Sequence, residues 1–92
     1  MIKYTRHNLK KLESLFKELD YTIRYEKGNF QSGYAIVEQR KIAVINKFFD
    51  TEARINVLID ILFTLDLNEV ELTEPSAKLL KVLERQLEEE EE

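Results

Sequence analysis

The sequence has no cysteine and no tryptophan, and only one histidine, one proline and two glycines occur among its 92 residues. Without cysteine, neither disulfides nor thiolate metal sites can form, so a hydrophobic core has to stabilise the fold alone. The single histidine, His7, argues against a catalytic zinc centre, which needs two histidines one helical turn apart with a glutamate between them. Together with the absence of cysteine, it also argues against the ordinary Ser-His-Asp and Cys-His nucleophile systems.

Long hydrophobic runs are missing as well. Asn56, Asp60 and Asp66 interrupt the most apolar stretch, residues 55–67, so no segment approaches the roughly 20 apolar residues that cross a bilayer. The first eleven residues contain four basic side chains and lack the apolar block of a secretory signal. We therefore expect a cytoplasmic protein that does not associate with membranes.

The composition is typical of one small folded domain, with 43% hydrophobic and 35% charged residues. Charge is unevenly distributed: residues 1–50 carry ten Lys/Arg and six Asp/Glu, whereas residues 51–92 carry four and twelve. Five of those acids form the terminal run Glu88–Glu92, in which like charges repel. We expect a single domain over residues 1–87 and an acidic C-terminal tip over 88–92, either a frayed helix end or a disordered segment.

Hydrophobic periodicity predicts a helix, a strand and a hairpin in the first half. Apolar residues at steps of three and four indicate an amphipathic helix over about residues 4–19, capped by Thr5 or Asn8. Alternation over residues 21–26 indicates a strand with one buried face. Residues 34–38 and 41–46 are separated by two residues only, so they have to form an antiparallel hairpin. The second of these is apolar without alternation, which favours a central position in the sheet.

Two helices are predicted after the hairpin. A strongly apolar helix begins near Asp50 or Thr51, and Thr73-Glu74-Pro75 supplies a cap, an acid and a proline for the start of a third. The third helix carries an apolar stripe that either covers the sheet or forms the seam of a homodimer. The predicted fold is a single small α+β domain of order α-β-β-β-α-α, with an antiparallel sheet covered by helices.

Three segments between about residues 20 and 83 form a recognisable pattern. They are a glycine-led hairpin over 30–38, a strand that ends in the Asn46-Lys47 corner, and an Asp-Leu segment over 66–72 that precedes the proline-started helix. The pattern resembles a family of short, uncharacterised bacterial proteins. Similar sequences often have cysteine where this chain has Ala35, so any role of that thiol is missing. The resemblance implies an architecture and no established activity.

Other polar clusters lack the spacing of catalytic or ligand sites. Gly28 and Gly33 are five residues apart, as in a phosphate-binding loop, but the Lys-Ser/Thr pair is missing and a strand follows instead of a helix. Glu26, Glu38 and Lys41 lack the strand spacing of a nuclease metal site, and an ion pair at the hairpin end explains them. We expect no enzymatic activity, no cofactor and no metal.

The remaining signals favour binding over catalysis. We expect a small protein-interaction or regulatory module that forms a homodimer and contacts an unknown protein partner. The candidate partner contacts are Phe48, Phe49, Leu80, Leu83 and Leu87. The alternative is nucleic-acid binding by the basic N-terminal half, although its surplus of four positive charges is small for that function. The candidate nucleic-acid contacts are Lys3, Arg6, Lys10, Lys11 and Arg24.

Overall fold

In the described part of the chain, three helices pack with a three-stranded sheet, and the central strand of this sheet is the last of the three in sequence. The computed structural model describes residues 2–27, 34–37, 40–67 and 70–91. In chain order the elements are α1 (Arg6–Glu18), β1 (Thr22–Glu26), β2 (Tyr34–Val37), β3 (Ile42–Asn46), α2 (Thr51–Leu62) and α3 (Glu74–Glu91). The strands lie in the order β1-β3-β2. The central position of β3 agrees with its uninterrupted apolar run.

The predicted antiparallel sheet is wrong, because the sheet is mixed. β1 and β3 are parallel, from Thr22 opposite Ile42 to Glu26 opposite Asn46, whereas β2 is antiparallel to β3. The short link between β2 and β3 dictates their antiparallel pairing. β1 and β2 lie at opposite edges of the sheet and run in opposite directions. β3 lies between them, antiparallel to β2 and therefore parallel to β1. The alternation over residues 21–26 indicates a strand but carries no information about its direction.

The starts of α1 and α2 are capped by short polar side chains. The Thr5 hydroxyl accepts a hydrogen bond of 3.2 Å from the backbone N–H of Asn8, so Thr5 is the cap of α1. The Asp50 carboxylate accepts one of 2.8 Å from the N–H of Ala53 and caps α2. Each cap satisfies a donor that a helix leaves without an internal partner.

The C-terminus of α1 ends in a Schellman turn built on an aspartate. The N–H of Tyr21 donates to the carbonyl of Phe16 over 2.9 Å, and the N–H of Asp20 donates to that of Lys17 over 3.0 Å. The Phe16 and Tyr21 rings pack edge to face, with centroids 6.2 Å apart. This turn needs a left-handed residue, which is usually glycine, and here Asp20 adopts φ 63°. The backbone therefore holds a residue in a conformation that disfavours a Cβ atom.

The core lies between the helices and one face of the sheet. α1 packs against α2, α3 and β1. Ala43 and Ile45 of β3 are fully buried, and Ile23 and Tyr25 of β1 pack beside them. The core also includes most of the apolar face of α1 and α2, with Leu83 of α3. Part of the leucine stripe of α3 therefore packs against the core of its own domain.

Replacement of Asp20 by glycine should stabilise the protein. Glycine adopts the left-handed conformation without a Cβ clash, so Asp20→Gly should raise the free energy of unfolding by about 0.5–1 kcal/mol. Asp20→Val should lower it, because a β-branched residue is strongly disfavoured there. Urea unfolding of the two variants and the wild type measures both changes. Equal stability of Asp20→Gly and Asp20→Val would contradict the turn described above.

Two leucines of α3 should differ sharply in their contribution to stability. Leu83 is 2% exposed and Leu87 is 38% exposed. Leu83→Ala leaves a cavity in the core and should lower the free energy of unfolding by about 2–5 kcal/mol. Leu87→Ala removes a half-exposed side chain and should cost about 1 kcal/mol or less. If urea unfolding gave comparable losses of the free energy of unfolding for the two variants, the packing of α3 described above would be wrong.

Candidate functional site: the groove between α1 and α3

A groove runs along the line where α1 and the segment before it meet the flank of α3. It consists of two adjoining cavities of about 640 and 430 Å³, which share Lys11, Pro75 and Leu79. We call it the α1/α3 groove. The larger cavity is lined by Ile2, Lys3, Asn8, Lys11, Glu74, Pro75, Lys78, Leu79 and Val82. The smaller is lined by His7, Lys10, Lys11, Ser14, Glu18, Thr73, Pro75, Ser76 and Leu79.

The groove is held at both ends, because α1 and α3 run antiparallel and are tied at each extremity. Near the start of α1, the backbone N–H of Ile2 donates to Oε1 of Gln86 over 3.1 Å. At the other extremity, the Glu18 carboxylate accepts a 2.8 Å hydrogen bond from the N–H of Thr73. Glu18 also accepts from the hydroxyls of Thr73, over 3.1 Å, and Ser76. These contacts keep the two walls at a defined separation.

The Glu18 carboxylate replaces an ordinary cap at the start of α3. Thr73 stands where sequence patterns place the capping side chain, but its hydroxyl donates to Glu18 instead. Ser76, buried with 6% exposure, is likewise satisfied by Glu18. The hydrogen bonds from the Ser76 hydroxyl and the Thr73 amide lower the pKa of the Glu18 carboxyl below its ordinary 4.5, against a weaker effect of burial. The charged form is therefore the one that binds α3.

The floor of the groove is apolar and partly open to solvent. Pro75 is exposed, Leu79 is half-buried, and Val82 is 46% exposed. Ile2 closes the floor on the opposite side and is itself buried. An apolar strip of this kind at the surface is a feature of binding surfaces, because covering it removes apolar area from water.

The rim of the groove is basic. Lys3, Lys10 and Lys11 project from the α1 side, and no described carboxylate lies within salt-bridge distance of any of the three. Lys78 on the α3 side pairs with Glu74 over 3.1 Å, one turn away on the same helix. The side chains of this pair are 74% and 79% exposed, so solvent weakens it. A partner with negative charge would therefore meet lysines that are free or only weakly paired.

The predicted partner contacts on α3 fall on different faces of the helix. Leu83 lies in the core, and Leu80 is half-buried against it. Leu87 is partly exposed near the end of the helix. Val82, which lines the groove and is more exposed than any of these leucines, is the residue that sequence reasoning missed. Val82 lies between Lys81 and Leu83 and is not a leucine, so a search for a leucine stripe does not find it.

The two predicted partner contacts at the Phe48-Phe49 corner differ in exposure. Phe48 is 69% exposed, with Nζ of Lys47 5.3 Å from its ring centroid. Phe49 packs against the core. The Arg54 guanidinium fixes this corner, since Nε donates to the Phe49 carbonyl over 2.9 Å and Nη2 to the Lys47 carbonyl over 2.7 Å. Phe48 is therefore an exposed ring on a rigid turn, and Phe49 is a packing residue.

Arg54 also links the corner to the sheet and to α1. Its guanidinium carbon lies 4.2 Å from the centroid of the Tyr25 ring, and the Tyr25 hydroxyl donates to the Glu13 carboxylate. Burial, reinforced by the Glu13 hydrogen bond and charge, raises the pKa of the Tyr25 hydroxyl, an effect that Arg54 opposes. The sequence signal for this cluster is that Arg54 is the only basic residue in α2.

The predicted nucleic-acid contacts do not lie on one surface. Lys3, Lys10 and Lys11 line the groove, and Arg6 is exposed on α1. Arg24 alternates with the inward Ile23 and Tyr25, so it lies on the face of the sheet away from the core, where it pairs with Glu26.

Among the described residues, metal-ligating side chains do not cluster. His7 and Asp60 are exposed, and only His7 lies beside the groove. Within residues 2–27, 34–37, 40–67 and 70–91, no group of three or more metal-ligating side chains is placed to hold an ion. In the same ranges, no helix combines the length and apolar content of a membrane span. The segment from Gly28 to Gly33 and Glu38, whose spacing was compared above with phosphate and metal sites, lie outside the described residues.

The Glu18 contacts should make stability depend on pH. Because the folded-state pKa of Glu18 is lowered, its contribution is present above about pH 4.5 and is lost as pH falls through the folded pKa. Glu18→Gln should lower the free energy of unfolding by about 1 kcal/mol near neutral pH. Its unfolding curve should approach that of the wild type at acid pH. Glu71→Gln, at an exposed loop position, is the matched control and should follow the wild type at every pH.

Comparisons with known proteins place the chain in a family without an assigned activity. No curated protein matches it, and no solved structure matches it. One family profile covers residues 1–92, which confirms the predicted likeness to an uncharacterised family. The chain belongs to the family described as Domain of unknown function (DUF3885).

Proposed function

We propose that this chain is a small, non-enzymatic protein-interaction module that self-associates, and that the α1/α3 groove is its binding surface. The observation that carries the proposal is the apolar floor of a cavity of about 640 Å³ that stays open between two tied helices. A cytoplasmic location and a bacterial source belong to the same proposal. They derive from the composition and from the sequence resemblance.

Burial of the groove floor supplies a driving force for association. Val82 is 46% exposed, and Leu79 and Pro75 extend the apolar surface towards the start of α3. Because Val82 is already about half-buried, covering its remaining exposed surface is worth roughly 1 kcal/mol. Because Glu18 and Gln86 tie the walls at both ends, little conformational entropy is lost when a partner binds.

The character of the lining favours a protein partner over a nucleic acid. Single strands are bound by rings that stack on bases, with basic side chains along the backbone. Among the residues that the structure describes, no Phe or Tyr side chain lines either cavity of the groove, and Arg24 lies on a different face. The lysines of the rim surround an apolar floor, an arrangement that suits an amphipathic helix with acidic residues at its edges.

A charge placed on the groove floor should abolish self-association. Val82→Glu removes an apolar contact and introduces an acid there, so the dimer dissociation constant should rise at least about tenfold. Sedimentation equilibrium over a range of micromolar concentrations measures this change. Val70→Glu is the matched control, because Val70 is comparably exposed, at 36%, and lies outside the groove.

Two results would contradict the proposal. The first is a wild-type protein that stays monomeric at every concentration. The second is tight binding of a labelled oligonucleotide that weakens steeply with salt and disappears when Lys3, Lys10 and Lys11 are changed to glutamate, which would favour the nucleic-acid alternative.

A further inference from the structure

The flank of α3 beside the groove carries a stripe of four residues: Lys78, Val82, Arg85 and Glu89. Their spacing of four, three and four residues keeps them within about 60° of arc on a helix that turns 100° per residue. All four are exposed. Lys78 and Val82 line the larger cavity of the groove, and Val82, Arg85 and Glu89 line a further cavity of about 270 Å³ that continues along the helix.

This stripe is complementary to itself when it is reversed. Lys78 and Glu89 are equidistant from the midpoint between Leu83 and Glu84, and so are Val82 and Arg85. Two copies of α3 that cross antiparallel at this midpoint therefore place a lysine opposite a glutamate twice. They also place the aliphatic stem of each arginine over a valine. A parallel arrangement would instead oppose each charge to its own copy, which is unfavourable.

We propose that the occupant of the α1/α3 groove is a second copy of this chain, joined by antiparallel pairing of the two α3 flanks about a two-fold axis. In this seam, Lys78 of each subunit pairs with the partner subunit's Glu89, and Val82 and Arg85 of both subunits lie near the axis. The inference rests on the proposed function and specifies its partner and geometry. A closed two-fold contact of this kind uses the same patch on both subunits.

The acidic end of α3 is the second reason to place a second copy there. The helix continues to Glu91, with no basic residue in its last turn. Negative charge at a helix C-terminus opposes the helix dipole, and Glu84 and Glu88 add like-charge repulsion at a spacing of four. Antiparallel pairing brings this end beside the lysines at the groove of the other subunit, where Lys3 and Lys11 have no described carboxylate partner.

Lys78 is available for this contact. Its ion pair with Glu74 lies on the surface of one helix, with both side chains more than 70% exposed. Such a pair contributes little to stability and can be exchanged for an intersubunit one. Because one helix flank and its neighbouring rim form a modest interface, we expect a weak dimer that loosens as salt rises.

Charge reversal tests the seam directly. Lys78→Glu and Glu89→Lys should each raise the dimer dissociation constant by roughly tenfold to a hundredfold, because each replaces two attractive contacts by two repulsive ones. An equimolar mixture of the two variants should form a heterodimer, since every pairing across that seam is attractive again. The double variant Lys78→Glu/Glu89→Lys should regain self-association. Sedimentation equilibrium and native mass spectrometry report both species.

Controls separate the seam from a general effect of charge. Lys27→Glu and Glu71→Lys reverse exposed charges elsewhere, and both should dimerise like the wild type. Circular dichroism establishes that α3 stays helical in every variant. If the single reversals weaken the dimer but the mixture fails to associate, or if neither reversal has an effect, the seam is wrong while self-association through the groove stands. If the wild type is monomeric throughout, both proposals fail.

Discussion

The contact of the Glu18 carboxylate with the start of α3 is the interaction on which the surface of this protein depends. Glu18 is the last residue of α1, where the helix dipole disfavours an acid. The same carboxylate lies at the start of α3, where the dipole favours it and unpaired N–H groups need an acceptor. One residue thus joins the end of one helix to the beginning of another, 55 residues later. The unfavourable position of Glu18 in α1 is offset by its hydrogen bonds to the start of α3, which exist only in the folded state.

The groove exists because that tie does not bring the helices into contact along their whole length. α1 directs its apolar stripe, with Leu12 and Leu15, into the core. It presents Asn8 and Lys11 to α3, and these side chains leave the space above Leu79 and Val82 unfilled. Because α1 and α3 are held together at both ends, the gap between them stays open. Its apolar floor remains in contact with water, which is unfavourable. This exposed apolar floor is the observation on which the proposed binding surface rests.

The parts of this structure that sequence reasoning predicts are those set by neighbours in the chain. The boundaries of α1 and α2 follow from Thr5 and Asp50, which cap the helices within one turn. The parallel direction of β1 and the contact of Arg54 with Tyr25 depend on residues far apart in sequence, and no local pattern predicts them. The groove is also non-local, because its lysines come from the first eleven residues and its floor from α3. The predicted set of basic contacts was therefore split between two faces.

The leucines of α3 illustrate how two periodic patterns can share one helix. Leu79, Leu80, Leu83 and Leu87 form an obvious stripe, and a stripe in a small protein has either to cover the core or to bind another chain. Leu83 in the core and Leu80 beside it show that this stripe serves the domain itself. The second copy that we propose therefore uses a different face, the adjacent flank, which contains a single valine among charged residues. Association through this flank would depend on the order of its charged residues along the helix. The proposal of a second copy therefore rests on the self-complementary order of these charges and not on the number of exposed apolar residues.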